Sequence, residues 1–156
     1  MNWPLTSSSE TPLRGTRALV LLQDPVEANR LQARLTALGI EAWEANCASG
    51  AAAVLRRDEL RGRPVDFLFV DGHFGGICGM SLCAALCMAL RQRPEVLLTA
   101  PLDAALDSSA LSRSGISTVI EADCSSRELE VLLGSYRRTA HLNRPERLTP
   151  AGRVTF

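Results

Sequence analysis

The chain has 156 residues, 46% of them apolar, and its 17 basic and 17 acidic residues balance to a net charge of zero. With no long basic run, that balance argues against nucleic acid and anionic membrane as partners, and no stretch of 18 apolar residues could cross a bilayer. The five cysteines, an odd number, fit a reducing compartment better than a disulfide framework, and every basic residue is arginine, with no lysine anywhere.

Residues 1–15 hold Ser7-Ser8-Ser9 and two prolines and read as a linker without a charged leader region. Ala18–Leu22 is an apolar strand. Residues 26–38 place Leu31, Leu35 and Leu38 on one helical face, closed by Gly39. Ile40–Ala45 is a shorter strand, and 49–60 an alanine-rich helix with Val54 and Leu55. Residues 66–70 form a third strand, followed by a glycine-rich loop and a helix over about 80–91. Glu95–Leu98 is the fourth strand, ending at Thr99, and a short helix runs from about Asp103 to Arg113, closed by Gly115. Thr118–Ile120 is the fifth strand. Helix 126–138 carries Leu129, Leu132, Leu133 and Tyr136 at i, i+3, i+4 and i+7. Pro145, Pro150 and Gly152 leave 139–156 as a tail, and two tails suggest a piece of a larger protein.

Strands alternating with helices at this spacing predict one α/β domain over 16–138, a (βα)5 doubly wound five-stranded parallel sheet with right-handed crossovers.

The stretch 66–79 carries the most chemistry. The buried strand ends in Asp71, where open α/β sheets hold their ligands; an aspartate there also starts many ordinary turns. His73 two residues on reads as a loop histidine, since no nucleophile stands at an elbow motif. Cys78, Cys83 and Cys87 are spaced C-x4-C-x3-C, unlike the paired C-x2-C of zinc sites, and the last two read as small core residues. Gly72, Gly75, Gly76 and Gly79 follow no phosphate-loop pattern. Arg56-Arg57 and Arg61–Arg63 suit the negative end of a helix dipole.

Over about residues 16–138 the sequence resembles a response-regulator receiver domain of the CheY-like superfamily. Ala18–Leu22 is similar to the first strand, Asp71 with Gly79 eight residues on to the phosphoacceptor and its loop, Leu98-Thr99-Ala100 to the segment with the switch hydroxyl, and Ser114-Gly115 to the turn before the last strand. Leu13 to Val20 resembles the lead-in to receivers of hybrid sensor histidine kinases. The resemblance implies a flavodoxin-like receiver fold with strand order 2-1-3-4-5 and an aspartate that takes a phosphoryl group from a kinase. It also implies Mg²⁺, which as a hard cation wants oxygen ligands: two acidic residues after strand one and the strand-three aspartate. A hydroxyl (Thr99) and a lysine after strand five would hold the phosphoryl oxygens.

The sequence departs from that pattern where the charge machinery should be. Counting back from Gly39 places Leu22 and Gln23 at the acidic pair; sliding by one places Gln23 and Asp24 there. Ala122 takes the lysine position, with only an arginine such as Arg127 or Arg113 to compensate, and arginine is no like-for-like replacement. Asp123 stands for the following proline, Val119 for an aromatic and Gly75-Gly76 for another proline. The expectation is therefore a degenerate pseudo-receiver of bacterial two-component signalling. It would be non-catalytic and cytoplasmic, with Mg²⁺ weak or absent, regulating a sensor histidine kinase or sister domain by docking. Arg30 and Arg34, one turn apart on the first helix, are candidate docking charges. Two alternatives stand beside it: a working acceptor at Asp71 with a weakened metal site, and a flavodoxin-like small-molecule or enzyme domain using the same crevice.

Overall fold

The computed structural model describes residues 13–74, 77–88, 90–100, 108–121 and 123–142. In chain order the elements are β1 (Arg17–Leu21), α1 (Pro25–Ala37), β2 (Glu41–Glu44), α2 (Ala48–Leu60), β3 (Phe67–Asp71), β4 (His73–Phe74), β5 (Ile77–Cys78), α3 (Gly79–Cys87), β6 (Glu95–Thr99), α4 (Ser108–Arg113), β7 (Ile116–Ile120) and α5 (Ser126–Leu142). The parallel sheet runs β2-β1-β3-β6-β7, which is 2-1-3-4-5 for its five strands. This is the α/β architecture the sequence predicts.

Two apolar layers explain why the central strands read as unbroken hydrophobic runs. On one face Leu19, Leu21, Leu68, Val70, Val96 and Leu98 pack against Ala51 and Leu55 of α2 and Leu82, Cys83, Leu86 and Cys87 of α3. On the other, Ala18, Val20, Phe67, Phe69 and Leu97 meet Ala28, Leu31 and Leu35 of α1 and Leu129 and Leu133 of α5. Every residue of β1 is buried, whereas the edge strand β2 alternates exposed and half-buried. Helix α1 starts where Asp24 caps it, Pro25 fits the first turn, and it stops at Gly39, whose φ of 90° a side chain would strain.

Several boundaries differ from the sequence reading. Leu13, assigned to the 1–15 linker, is 1% exposed and belongs to the α1/α5 layer, fixed by the Thr16 hydroxyl donating to its carbonyl at 2.6 Å. Helix α5 continues past Gly134 and runs to Leu142, beyond the expected end at 138, since no glycine or proline stands between 139 and Pro145. Helix α3 ends at Cys87 rather than near 91. There the Glu59 carboxylate draws in the amide N–H groups of Arg91 and Gln92, at 2.6 and 2.7 Å, and Pro94 disfavours helix in the residue before it. The glycine-rich loop contains the short antiparallel pair β4–β5, with His73 opposite Cys78 and Phe74 opposite Ile77. Gly75, Gly76, Ala122 and the first part of the helix expected from Asp103 lie outside the described residues.

Candidate functional site

Ligand chemistry is possible where the apolar constraint on the strands ends, at the sheet's carboxyl edge. Parallel register puts Asp71 of β3 beside Thr99 of β6, and Thr99 beside Ile120 of β7. Asp71 is half-buried and Thr99 is 3% exposed. The two candidates from strands three and four therefore meet. The backbone beneath them is tight: the Thr99 carbonyl accepts the Gly72 N–H at 2.8 Å, and the Gly72 carbonyl accepts the Gly79 N–H at 2.7 Å. A Cβ on Gly79 would overlap the Asp71 carbonyl oxygen and stand 2.8 Å from Leu98 Cδ1. Glycine eight residues after Asp71 is thus what lets the chain fold back under it.

The residues after strand one take other tasks. Leu22 is 5% exposed and packs into the α1/α5 layer. Gln23 meets Asp71 through its main chain, its amide N–H donating to Oδ2 at 3.0 Å. Asp24 lies past the strand, where Oδ1 accepts the Val26 N–H at 2.9 Å and caps α1. Among the described residues no three His, Cys, Asp or Glu side chains are grouped as metal ligands.

A cleft of about 430 Å³ opens over Asp71 and Thr99. Its walls are Glu27, Arg30 and Arg34 of α1 on one side and Glu121 and Asp123 after β7 on the other, with Ala100 between. Arg30 is exposed and Arg34 half-buried. Arg34 also lies near Cys124, after β7. Burial pushes the Cys124 thiol pKa up, Arg34 pulls it down, and the nearby carboxylates of Glu128, Asp123 and Glu121 raise it again. The positive charge of α1 is therefore felt at the loop that holds position 122. Neither Arg127 nor Arg113, the sequence's candidate substitutes for the lysine, lines the cleft; among its described residues the cations are those of α1. Spacing along α1 showed that Arg30 and Arg34 share a face, but how that helix is rotated over the sheet was not visible.

Cys83 and Cys87 are buried in the α2/α3 layer, as small core residues should be, and burial pushes the Cys87 thiol pKa up. His73 opens β4.

No family model and no curated protein sequence matches the chain. Solved structures do match. A two-component response regulator with a GGDEF domain is similar over 85% of this chain at 20% identity and a TM-score of 0.69; the chain spans only 52% of that protein. The receiver domain of the histidine kinase CKI1 from Arabidopsis thaliana, complexed with Mg²⁺ and BeF3⁻, is similar over 83% of this chain and 97% of its own length, at 14% identity and a TM-score of 0.65. A CheY-like receiver domain from Methylobacillus flagellatus covers 77% of this chain and 97% of its own length, at 20% identity and a TM-score of 0.64. The chain has the fold of response-regulator receiver domains.

Proposed function

We propose that this chain is a degenerate receiver: a two-component signalling module that regulates a sensor histidine kinase, or a sister domain of the same protein, by docking rather than by accepting phosphate. The observation that carries this reading is the end of strand one. Where a phosphorylated receiver offers two carboxylates, this chain offers the buried side chain of Leu22, the amide N–H of Gln23 and a cap at Asp24. A phosphoryl group approaching Asp71 needs its negative charge neutralised, and those three positions do not supply a cation site. A switch also needs a ligand that binds its two states differently; without one, the module holds a single conformation and acts constitutively.

The working-acceptor alternative keeps one point in its favour, the adjacency of Asp71 and Thr99. The small-molecule alternative has a cleft of suitable size, but charged walls replace the mostly apolar lining such sites favour.

The test compares the wild type with Asp71→Asn in two assays. Binding to the kinase core, and signalling output, should stay within about twofold. Acetyl phosphate should leave little stable phosphate on the wild type, and beryllofluoride should cause no ordered NMR shift near Thr99. Rapid, complete phosphorylation that vanishes in Asp71→Asn, or loss of output in that variant, makes the working acceptor the correct reading.

A further inference from the structure

The receiver fold implies a Mg²⁺ site in this cleft, and the donor set does not fit one: beside Asp71 stand an apolar side chain, an amide N–H and a capping carboxylate. The same cleft nevertheless carries the carboxylates of Glu27, Glu121 and Asp123. Four acidic groups around one cleft repel one another unless positive charge is near. We propose that Arg30 and Arg34 supply that charge, taking the electrostatic place of the divalent cation and excluding it. The inference rests on the degenerate-receiver reading and gives the physical reason for it: the site is neutralised from within.

Three observations support the assignment. Both arginines, from α1, line the cleft that contains Asp71 and Thr99, together with Glu121 and Asp123 after β7. Arg34 is also close enough to Cys124, one residue past Asp123, to pull its thiol pKa down. And the chain has no lysine with which to place a cation at the end of strand five.

Removing the two charges should convert a metal-excluding cleft into a weak metal-binding one. Two unit charges roughly 10 Å from a divalent ion, in water-like surroundings, change its affinity on the order of tenfold. The probe is Mn²⁺ alone, titrated into the full chain labelled with nitrogen-15, with paramagnetic broadening read at the amides of Gln23, Gly72 and Ala100. Arg30→Gln/Arg34→Gln should bind Mn²⁺ about tenfold more tightly than the wild type at those amides. The single variant at exposed Arg30, Arg30→Gln, should gain about threefold, which keeps the test intact if the double variant folds poorly. Arg30→Lys/Arg34→Lys keeps the charge and should stay within about twofold of the wild type. Adding Asp71→Asn to the double glutamine variant should abolish the gain. Unchanged Mn²⁺ affinity in both glutamine variants, or a gain that survives Asp71→Asn, overturns the assignment. Docking of Asp71→Asn is read without metal, so either reading can fail while the other stands.

Discussion

Removing the carboxylate of Asp58 should be the most damaging single polar deletion in this protein, and it lies at the opposite edge of the sheet from Asp71. Asp58, near the end of α2, is 2% exposed, and its Oδ2 takes a hydrogen bond from Arg17 Nη2 at 2.8 Å. Arg17, the first residue of β1, is itself 9% exposed, with its guanidinium carbon 4.7 Å from the centroid of the Trp43 ring on β2. Arg17 pairs with Glu41, and Leu19 with Trp43, so the ring is a diagonal neighbour on the same sheet face. Asp58→Ala leaves a buried guanidinium without its counter-charge, which costs about 3–5 kcal/mol. At about 3 °C per kcal/mol for a domain of this size, melting should fall by roughly 10–15 °C. Arg57, whose Nε reaches Asp58 Oδ1 at 3.2 Å, is half exposed and should matter less, under about 1 kcal/mol for Arg57→Ala. Replacing both members, Arg17→Met with Asp58→Leu, should recover most of the loss, because exchanging a buried pair for apolar groups is often neutral. Urea unfolding of Arg17→Met, Asp58→Leu and the double closes the cycle. If Asp58→Ala costs under about 1 kcal/mol, or the double loses the sum of the singles, the pair is not a coupled buried contact and the argument fails.

Three other outcomes follow from the site and its surroundings. Gly79→Ala should lose about 1–3 kcal/mol in urea unfolding and shift the NMR signals of Asp71 and Gly72, because the added Cβ meets the Asp71 carbonyl and Leu98; a neutral or stabilising change would show that the loop can move aside. Leu22→Asp should destabilise by about 2–5 kcal/mol near pH 7, since it trades a buried apolar contact for an unpaired carboxylate, and millimolar Mg²⁺ should restore little of it; a tolerated aspartate would place Leu22 in the pocket instead of the core. Cys47, exposed before α2, has its thiol pKa lowered by the Ser49 hydroxyl at 3.4 Å and the Gly50 N–H. More thiolate is then present at a given pH, so iodoacetamide at pH 7 should label Cys47 faster than an unperturbed thiol and far faster than buried Cys83 or Cys87; a fast phase that persists in Cys47→Ser refutes this.

The fold was legible because its three central strands need apolar residues on both faces, and β1, β3 and β6 show little else. The edges were harder. β2 alternates polar and apolar residues, and the true start of β7 at Ile116 includes Ser117, whose hydroxyl donates to Glu95 at 2.6 Å. Asp71 and Thr99 were visible as strand-end residues, and parallel pairing brings them together. Three features were not visible, each for a long-range reason. Leu13 looks like part of a polar linker until the layer under α1 claims it. The end of α3 depends on Glu59, some thirty residues earlier in the chain. Arg30 and Arg34 read as surface charges because only the placement of α1 against the sheet brings them to the cleft over Asp71.

The proposed loss of the acidic pair and the persistence of the fold have one physical origin at the end of β1. A carboxylate pair beside Asp71 would set three like charges close together, a cost that an ordinary receiver offsets with metal. Leu22 instead contributes apolar burial, worth about 1.5–3 kcal/mol for a side chain of this size. The Gln23 amide gives Asp71 a hydrogen bond that requires no ion, and Asp24 puts its charge at the positive end of α1. Each of the three positions therefore stabilises the metal-free chain, and each makes the phosphorylation chemistry harder. Under the proposed docking reading, a module that presents one fixed surface gains from that exchange, since its output would not depend on a second conformation. In the proposed arrangement the arginines of α1 supply the counter-charge that the carboxylates around the cleft need, and one carried by the chain stays in place whatever the metal concentration.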